Sequence, residues 1–269
     1  MSTNPVTWHR GLVARFWGEK VCDPTKEKPF FDRIIASSGQ PVLDVGCGAG
    51  RLLIPWLRNG LDVDGCDVSQ AMLDQCRARA DREEIEPPLY CQAMHEIDLP
   101  RAYRTIVMCG AIGIGGDRRR DLEGLRRCYH HLEKGGALVL DSDVPWASEE
   151  DWLGWRRDQT QPEDWPPPVT PEDRGTFEDG TQFEMCARTV HFDQLTQVSR
   201  LEIRVRHYLE GVLAAEEVHP ILIRTYLPAE LVAMLEDVGF ERIETFGDYA
   251  ESPANADDSV HVFVAYKGT

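Results

Sequence analysis

Val42-Leu43-Asp44-Val45-Gly46-Cys47-Gly48-Ala49-Gly50-Arg51 is the stretch from which the fold can be read. Apolar, β-favouring residues around one acid run into glycines at alternate positions, and Leu52-Leu53-Ile54-Pro55-Trp56-Leu57 opens a helical pattern directly behind them. That order predicts strand, tight turn and helix. Glycine permits positive φ and lets a ligand approach the main chain, while the free N–H groups of the helix start point at that ligand. A dinucleotide site asks for G-x-G-x-x-G, whose last glycine allows close helix–strand packing. Here the pattern is G-x-G-x-G, and Arg51 occupies the last position. Asp44, two residues before the first glycine, repels a pyrophosphate and attracts a cation. The expected ligand is therefore positively charged, which disfavours a nicotinamide dinucleotide.

A second acid follows. Leu61-Asp62-Val63-Asp64-Gly65-Cys66-Asp67 reads as a second strand ending 21 positions after Gly46. An acid there can accept both hydroxyls of a ribose, and Ser69 is placed to cap the helix that begins Gln70-Ala71-Met72-Leu73. With these residues the chain resembles the class I S-adenosylmethionine (SAM)-dependent methyltransferases. Their first motif is similar to D-V-G-C-G-x-G, and their D-x-S-x-x-M-L arrangement is matched by Asp67, Ser69, Met72 and Leu73. The resemblance implies a Rossmann-like, doubly wound α/β fold with a seven-stranded sheet, and SAM as cofactor. It implies cofactor contacts from Asp44, Gly46, Cys47, Gly48, Gly50, Asp67, Val68 and Met72. Ala93 stands where many relatives carry an acid for the adenine amino group, so adenine would be met by backbone near Ala93 and Met94.

The remaining pattern is continuous with this from Pro41 to Asp141. Leu89 to Met94 reads as a third strand after Pro87-Pro88. Arg104 to Cys109 is a nearly unbroken apolar run, as expected of a central parallel strand buried on both faces. It empties into Gly110-Ala111-Ile112-Gly113-Ile114-Gly115-Gly116, at the strand end where open α/β sheets bind ligands, so Cys109 and Gly110 join the cofactor set. Asp121 to Lys134 predicts a helix stopped by Gly135-Gly136, and Ala137 to Asp141 a fifth strand. Leu227 begins another helix with Pro228 in its first turn and Gly239 at its end; Phe240 to Phe246 and Ser259 to Tyr266 are the last two strands.

Outside this frame, Val6 to Gly18 and Pro29 to Ile35 predict two helices within residues 1–40. The resemblance implies that such helices cover the cofactor and bring an aromatic ring, here Phe16 or Trp17, near the methyl group; packing of both rings between helix and sheet is the alternative, and His9 is expected at the surface. Residues 142–226 read as an insert. Its first part holds Trp146, Trp152, Trp155 and Trp165 and the extended run Pro166-Pro167-Pro168. Its second part predicts three antiparallel strands, Phe183 to Phe192, Val198 to Leu209 and Val218 to Tyr226. Residues 41–141 and 227–269 would then form one domain, with 142–226 as a lid.

His207 falls on the apolar face of the middle lid strand, where a neutral imidazole can accept a proton. It is the candidate base, ahead of Asp143 and Tyr249; a hydrogen-bonded core histidine is the alternative. Arg224 and Tyr226 share a face with Leu222 and are candidate acceptor contacts beside Trp17, a lid-to-core salt bridge being the alternative for Arg224.

Of 269 residues 42% are hydrophobic, enough for a packed core. The chain lacks the run of about eighteen apolar residues that a membrane span needs, and Met1 to Lys20 lacks the apolar centre of a signal peptide. No membrane association and a cytoplasmic location are the expectations. The 29 basic residues against 46 acidic ones give a formal charge of −17, which speaks against a nucleic-acid partner. Eight scattered cysteines without a C-x-x-C pair favour reduced thiols over a metal site. The expected function is methyl transfer from SAM to nitrogen or oxygen of a small-molecule acceptor, with homodimerisation left open. An NAD(P)-dependent oxidoreductase and a non-catalytic SAM-binding regulatory protein are the rival readings.

Overall fold

A seven-stranded sheet carries the chain. The computed structural model describes residues 9–20, 27–146 and 173–269. Strands β1 (Val42–Val45), β2 (Val63–Asp67), β3 (Leu89–Cys91), β4 (Tyr103–Met108), β5 (Leu132–Asp143), β10 (Arg242–Gly247) and β11 (Val260–Tyr266) lie in the order β10-β11-β5-β4-β1-β2-β3. The first five are parallel, and β11 runs antiparallel between β5 and β10. β1 is central, with Asp44 opposite Gly65 on one side and Val107 on the other. Alternating side chains on these strands feed two cores. Leu43, Val45, Ile106, Met108, Leu138 and Leu140 pack with Leu125 and Cys128 of helix α5 (Arg118–His131) and with Leu231, Met234 and Leu235 of α6 (Pro228–Val238). On the opposite face Val42, Val107 and Val139 meet Phe30, Phe31, Ile34 and Ile35 of α2 (Glu27–Ser38) and Leu53, Ile54 and Trp56 of α3 (Leu53–Arg58). Helices on both faces and the parallel centre make the sheet doubly wound.

The elements start and stop close to their sequence signals. Ser69 caps α4 (Gln70–Asp81), accepting Met72 N at 3.2 Å. Pro228 opens α6 and Gly239 closes it at φ +113°. Helix α5 differs at both ends: it starts at Arg118, capped by Asp117, three residues before the expected Asp121, and it ends at His131, so Gly135-Gly136 lies inside β5 instead of stopping the helix. Leu132 is already extended and pairs with Tyr103, and the glycines absorb the register shift before Ala137 meets Thr105. The third strand is also shorter than expected, because Met94–Glu96 turns into a single 3-10 turn.

A second sheet, β6 (Arg174–Thr176), β7 (Gln182–Asp193), β8 (Val198–Leu209) and β9 (Val212–Arg224), is antiparallel in chain order. It has four strands where three were expected, and β9 begins six residues before the expected Val218. Glu210 and Gly211 both take positive φ, 50° and 77°. That makes a two-residue turn whose twist matches the flanking strands, so pairing resumes at once with Leu209 opposite Val212. Helix α1 (Gly11–Lys20) lies between this sheet and the main domain. Val13 and Phe16 pack with Phe177, Phe183, Ile203, Val205 and Ile221, while Ala14 and Trp17 pack with Ala49 and Met72. The expectations for Trp152, Trp155, Trp165 and Pro166-Pro167-Pro168 lie outside the described residues. Among the described residues no helix is long and apolar enough to cross a membrane.

Candidate functional site

The glycine turn is held by the next strand. Gly46 N and Cys47 N both donate to Cys66 O, at 2.7 and 3.0 Å. Asp67 Oδ2 accepts Gly48 N at 2.9 Å, and its Oδ1 accepts Ser69 N at 2.7 Å. Gly46, Gly48 and Gly50 all have positive φ, at 74°, 54° and 79°. Their roles separate. A Cβ on Gly50 would lie 2.6 Å from Cys76 Sγ and 2.9 Å from Ile54, so this glycine serves helix packing. Asp44 sits behind the turn, 3% exposed; burial, and then the neighbouring Asp67, push its carboxyl up to about 8. Burial also raises Asp67, against the N–H bonds that favour its charge.

A cavity of about 500 Å³ opens in front of this turn. It lies at the crevice between β1 and β4, where the strand order reverses and the loops after the two strands part in opposite directions. The structure brings Gly46, Cys47, Gly48, Asp67, Val68 and Met72 to its wall, and Ala93, Met94, Cys109, Gly110 and Trp17 join them. Asp44 and Gly50 do not line it.

Apart from Trp17, the expected catalytic and acceptor residues are placed differently. His207 is not on the cavity wall: its Nε2 is 2.8 Å from Thr181 Oγ1, and its ring stands edge-on to Phe177. Strand alternation keeps it on the face of Ile203 and Val205, where it has a hydrogen-bonded place within the antiparallel sheet. Arg224 and Tyr226 also stay off the wall. Tyr226 is 1% exposed and donates to Asp121 Oδ2 at 2.6 Å, and the Arg224 guanidinium lies over its ring. Asp121 does line the cavity, so both residues stand behind it. Phe16 faces the lid, 5.3 Å from Phe183, leaving Trp17 as the aromatic at the cavity.

Several wall residues were not foreseen. His9 was expected at the surface, yet it lines the cavity beside Trp17, and burial pushes its imidazole down to about 3. The Ser69 hydroxyl holds the His9 carbonyl, which ties the segment before α1 to the cap of α4. Asp121 is 1% exposed and burial raises it to about 6, although Tyr226 and the Gly113 N–H favour its charge. A signal existed for it: Asp121 precedes Leu125 by four positions and Cys128 by seven, an acid on the apolar stripe of its helix. Arg51 also lines the cavity and pairs with Glu27, a contact between α2 and the glycine turn that no local pattern announces.

Similarity to known proteins agrees with this geometry. A family profile described as "Methyltransferase domain" matches residues 42–136. A ubiquinone biosynthesis O-methyltransferase of Bradyrhizobium diazoefficiens is 31% identical over 121 residues, which cover 42% of this chain and 45% of that protein. The chain spans less than half the length of the curated relatives it matches. Among solved structures, the sugar N-methyltransferase KedS8 from Streptoalloteichus sp. superposes with a TM-score of 0.70 at 20% identity, covering 100% of this chain and 97% of that one. A SAM-dependent methyltransferase from Clostridium acetobutylicum gives 0.70 at 14% identity, covering 94% and 96%. At such identities the solved structures speak for the fold alone. Residues 42–136 thus match a methyltransferase domain, and the chain shares its fold with SAM-dependent methyltransferases of known structure.

Proposed function

We propose that the chain binds SAM in the cavity and transfers its methyl group to nitrogen or oxygen of a small-molecule acceptor. The observation that carries the reading is the pair of adjacent buried carboxylates, Asp44 and Asp67, at a glycine turn beside a cavity of about 500 Å³. That size lies within the roughly 300–1,000 Å³ of small-molecule sites. Two buried acids that a neighbouring cation would help to ionise suit a ligand bringing its own positive charge and hydroxyl donors.

In this reading Asp67 takes the ribose hydroxyls, while Val68, Met72, Ala93 and Met94 enclose the adenine. Gly46, Cys47, Gly48, Cys109 and Gly110 meet the amino-acid part. Asp44 offsets the ligand's charge from behind the turn, and Gly50 keeps the helix close. Trp17 and His9 close the side toward the acceptor, and the four-stranded sheet of residues 174–224 completes the cover over the domain formed by 41–141 and 227–269. A small molecule is supported as acceptor by KedS8, a sugar N-methyltransferase, and by the ubiquinone-pathway O-methyltransferases, which leave nitrogen and oxygen equally open.

Bound SAM would supply a methyl group already activated on a sulfonium. The residues then have to orient the acceptor in line, at roughly 3–3.5 Å, and exclude water. Their protonation states fit that task. His9 is held neutral, and the Cys109 thiol and Tyr226 phenol are both raised, so none of these three is poised as a base near neutral pH.

The test is calorimetric titration with SAM and S-adenosylhomocysteine, and with NADH and NADPH as controls. Micromolar binding of the first pair alone is expected. Asp67→Ala should weaken SAM about ten- to a hundredfold, the range of lost hydrogen bonds to a charged group. Nicotinamide binding without SAM binding would overturn the reading.

A further inference from the structure

The buried Asp141 carboxylate has no part in the proposed function so far. Asp141, near the end of β5 and 4% exposed, accepts three hydrogen bonds. Oδ1 takes Gly110 N at 2.5 Å; Oδ2 takes Cys109 Sγ at 3.1 Å and Tyr249 OH at 2.6 Å. Arg51 Nη2 donates to the same Sγ at 3.3 Å, so the end of β4 is gripped from both sides.

Tyr249 is delivered to this carboxylate at a cost. It and Asp248 are consecutive non-glycine residues with positive φ, 59° and 45°. Such backbone is strained and persists only where surrounding contacts over-determine it. Here Asp248 Oδ1 accepts Ser259 N and Val260 N at 3.0 and 2.9 Å, and the Tyr249 ring packs edge-on against Phe30 and Phe31. Burial raises both the Tyr249 phenol and the Cys109 thiol, so each keeps its proton and stays a donor to Asp141.

The consequence falls on the cavity wall. Cys109 and Gly110 line it, and a Cβ on Gly110 would meet nothing within 4 Å. Across a trans peptide the Cys109 carbonyl points opposite to the Gly110 N–H. With that N–H turned to Asp141 on the β5 side, the carbonyl faces the β1 side, where the crevice lies. A carbonyl oxygen only accepts, so it selects a hydrogen-bond donor, and a charged ammonium is a strong one.

We propose that Asp141 and Tyr249 are positioning residues that hold the Cys109–Gly110 peptide with its carbonyl aimed into the cavity, as the acceptor for a ligand ammonium. This deepens the SAM reading and rests on it. The ammonium is on the amino-acid part of SAM, so the pair acts on that part and not on the nucleoside.

The experiment compares SAM with 5′-methylthioadenosine, which keeps the nucleoside and lacks the ammonium. Both are titrated into the wild-type chain, Tyr249→Phe and Asp141→Asn, with Tm recorded for each. Tyr249→Phe keeps the ring among the phenylalanines and serves if Asp141→Asn fails to fold. SAM affinity is expected to fall about tenfold in Tyr249→Phe, with methylthioadenosine affinity unchanged. Equal affinities in variant and wild type, or an equal loss for both ligands, would overturn the positioning role. A wild-type chain that binds neither ligand would overturn the SAM reading itself, and this inference with it.

Discussion

At the scale of single residues, charge and space decide what the site can hold. Asp44 is raised to about 8 and Asp121 to about 6, both first by burial. A carboxyl whose folded pKa lies above its unfolded value keeps its proton in the native state after the unfolded chain has lost it. Its contribution to stability is complete below about 4 and is lost as pH rises through the folded pKa. His9, lowered to about 3, contributes the opposite slope up to about pH 6.5, so the ligand-free chain should lose Tm most clearly between about pH 6.5 and pH 8, and Asp44→Asn should flatten that slope. A cationic ligand should oppose the loss by ionising Asp44, detected as proton release in calorimetry with buffers of different ionisation enthalpy. A Tm that rises across this window would sink the assignment.

Space acts as sharply at Gly113. It has φ +83°, and a Cβ there would collide with the Arg224 carbonyl oxygen. Gly113→Ala should cost about 2 kcal/mol or more from backbone strain, measured by urea unfolding. Unchanged stability would mean that the loop re-folds around the methyl group.

At the scale of elements, that collision shows how the loop after β4 is attached. Arg224 N donates to Gly113 O at 2.8 Å and Gly115 N to Leu222 O at 2.7 Å, with Ile114 bridging Ile223. The cavity loop is thus a short extra strand on the edge of the lid sheet, joined again below by Tyr226 and Asp121. Helix α1 makes the matching connection on the other side. Glu217 of β9 accepts Leu12 N at 2.9 Å and stands 2.8 Å from His219, whose Nδ1 accepts Arg10 Nε at 3.3 Å. Phe16 is the apolar centre of this contact, 8% exposed and packed on Phe183. Phe16→Ala should cost about 3–5 kcal/mol. By hydrogen exchange, the loss of protection should appear in α1 and β7–β9, with the seven-stranded sheet little changed. Protection lost evenly over the chain would contradict the division between the two sheets.

At the scale of the whole molecule, the site belongs to no single unit. Its floor is the turn after β1 and the end of β2, its flank is the loop after β4, and its cover is the residues around α1, themselves held by the lid sheet. The sequence alone determined the floor. Asp44 to Gly50 and Asp67 to Met72 are contiguous, and glycines, strand-end acids and a capping serine have local physical requirements that can be read without a partner. The same holds for the seven strands, whose apolar runs and breakers mark their places. Only the tertiary structure decided the flank and the cover. Whether His207 meets the cavity depends on where the lid sheet sits, and it meets Thr181 instead. His9, Asp121 and the Asp141–Tyr249 pair reach the site or its wall through contacts separated by 60, 105 and 108 positions. Periodicity places a side chain on a face of its own element; what stands opposite that face is set by packing between elements, and that is where these roles were hidden.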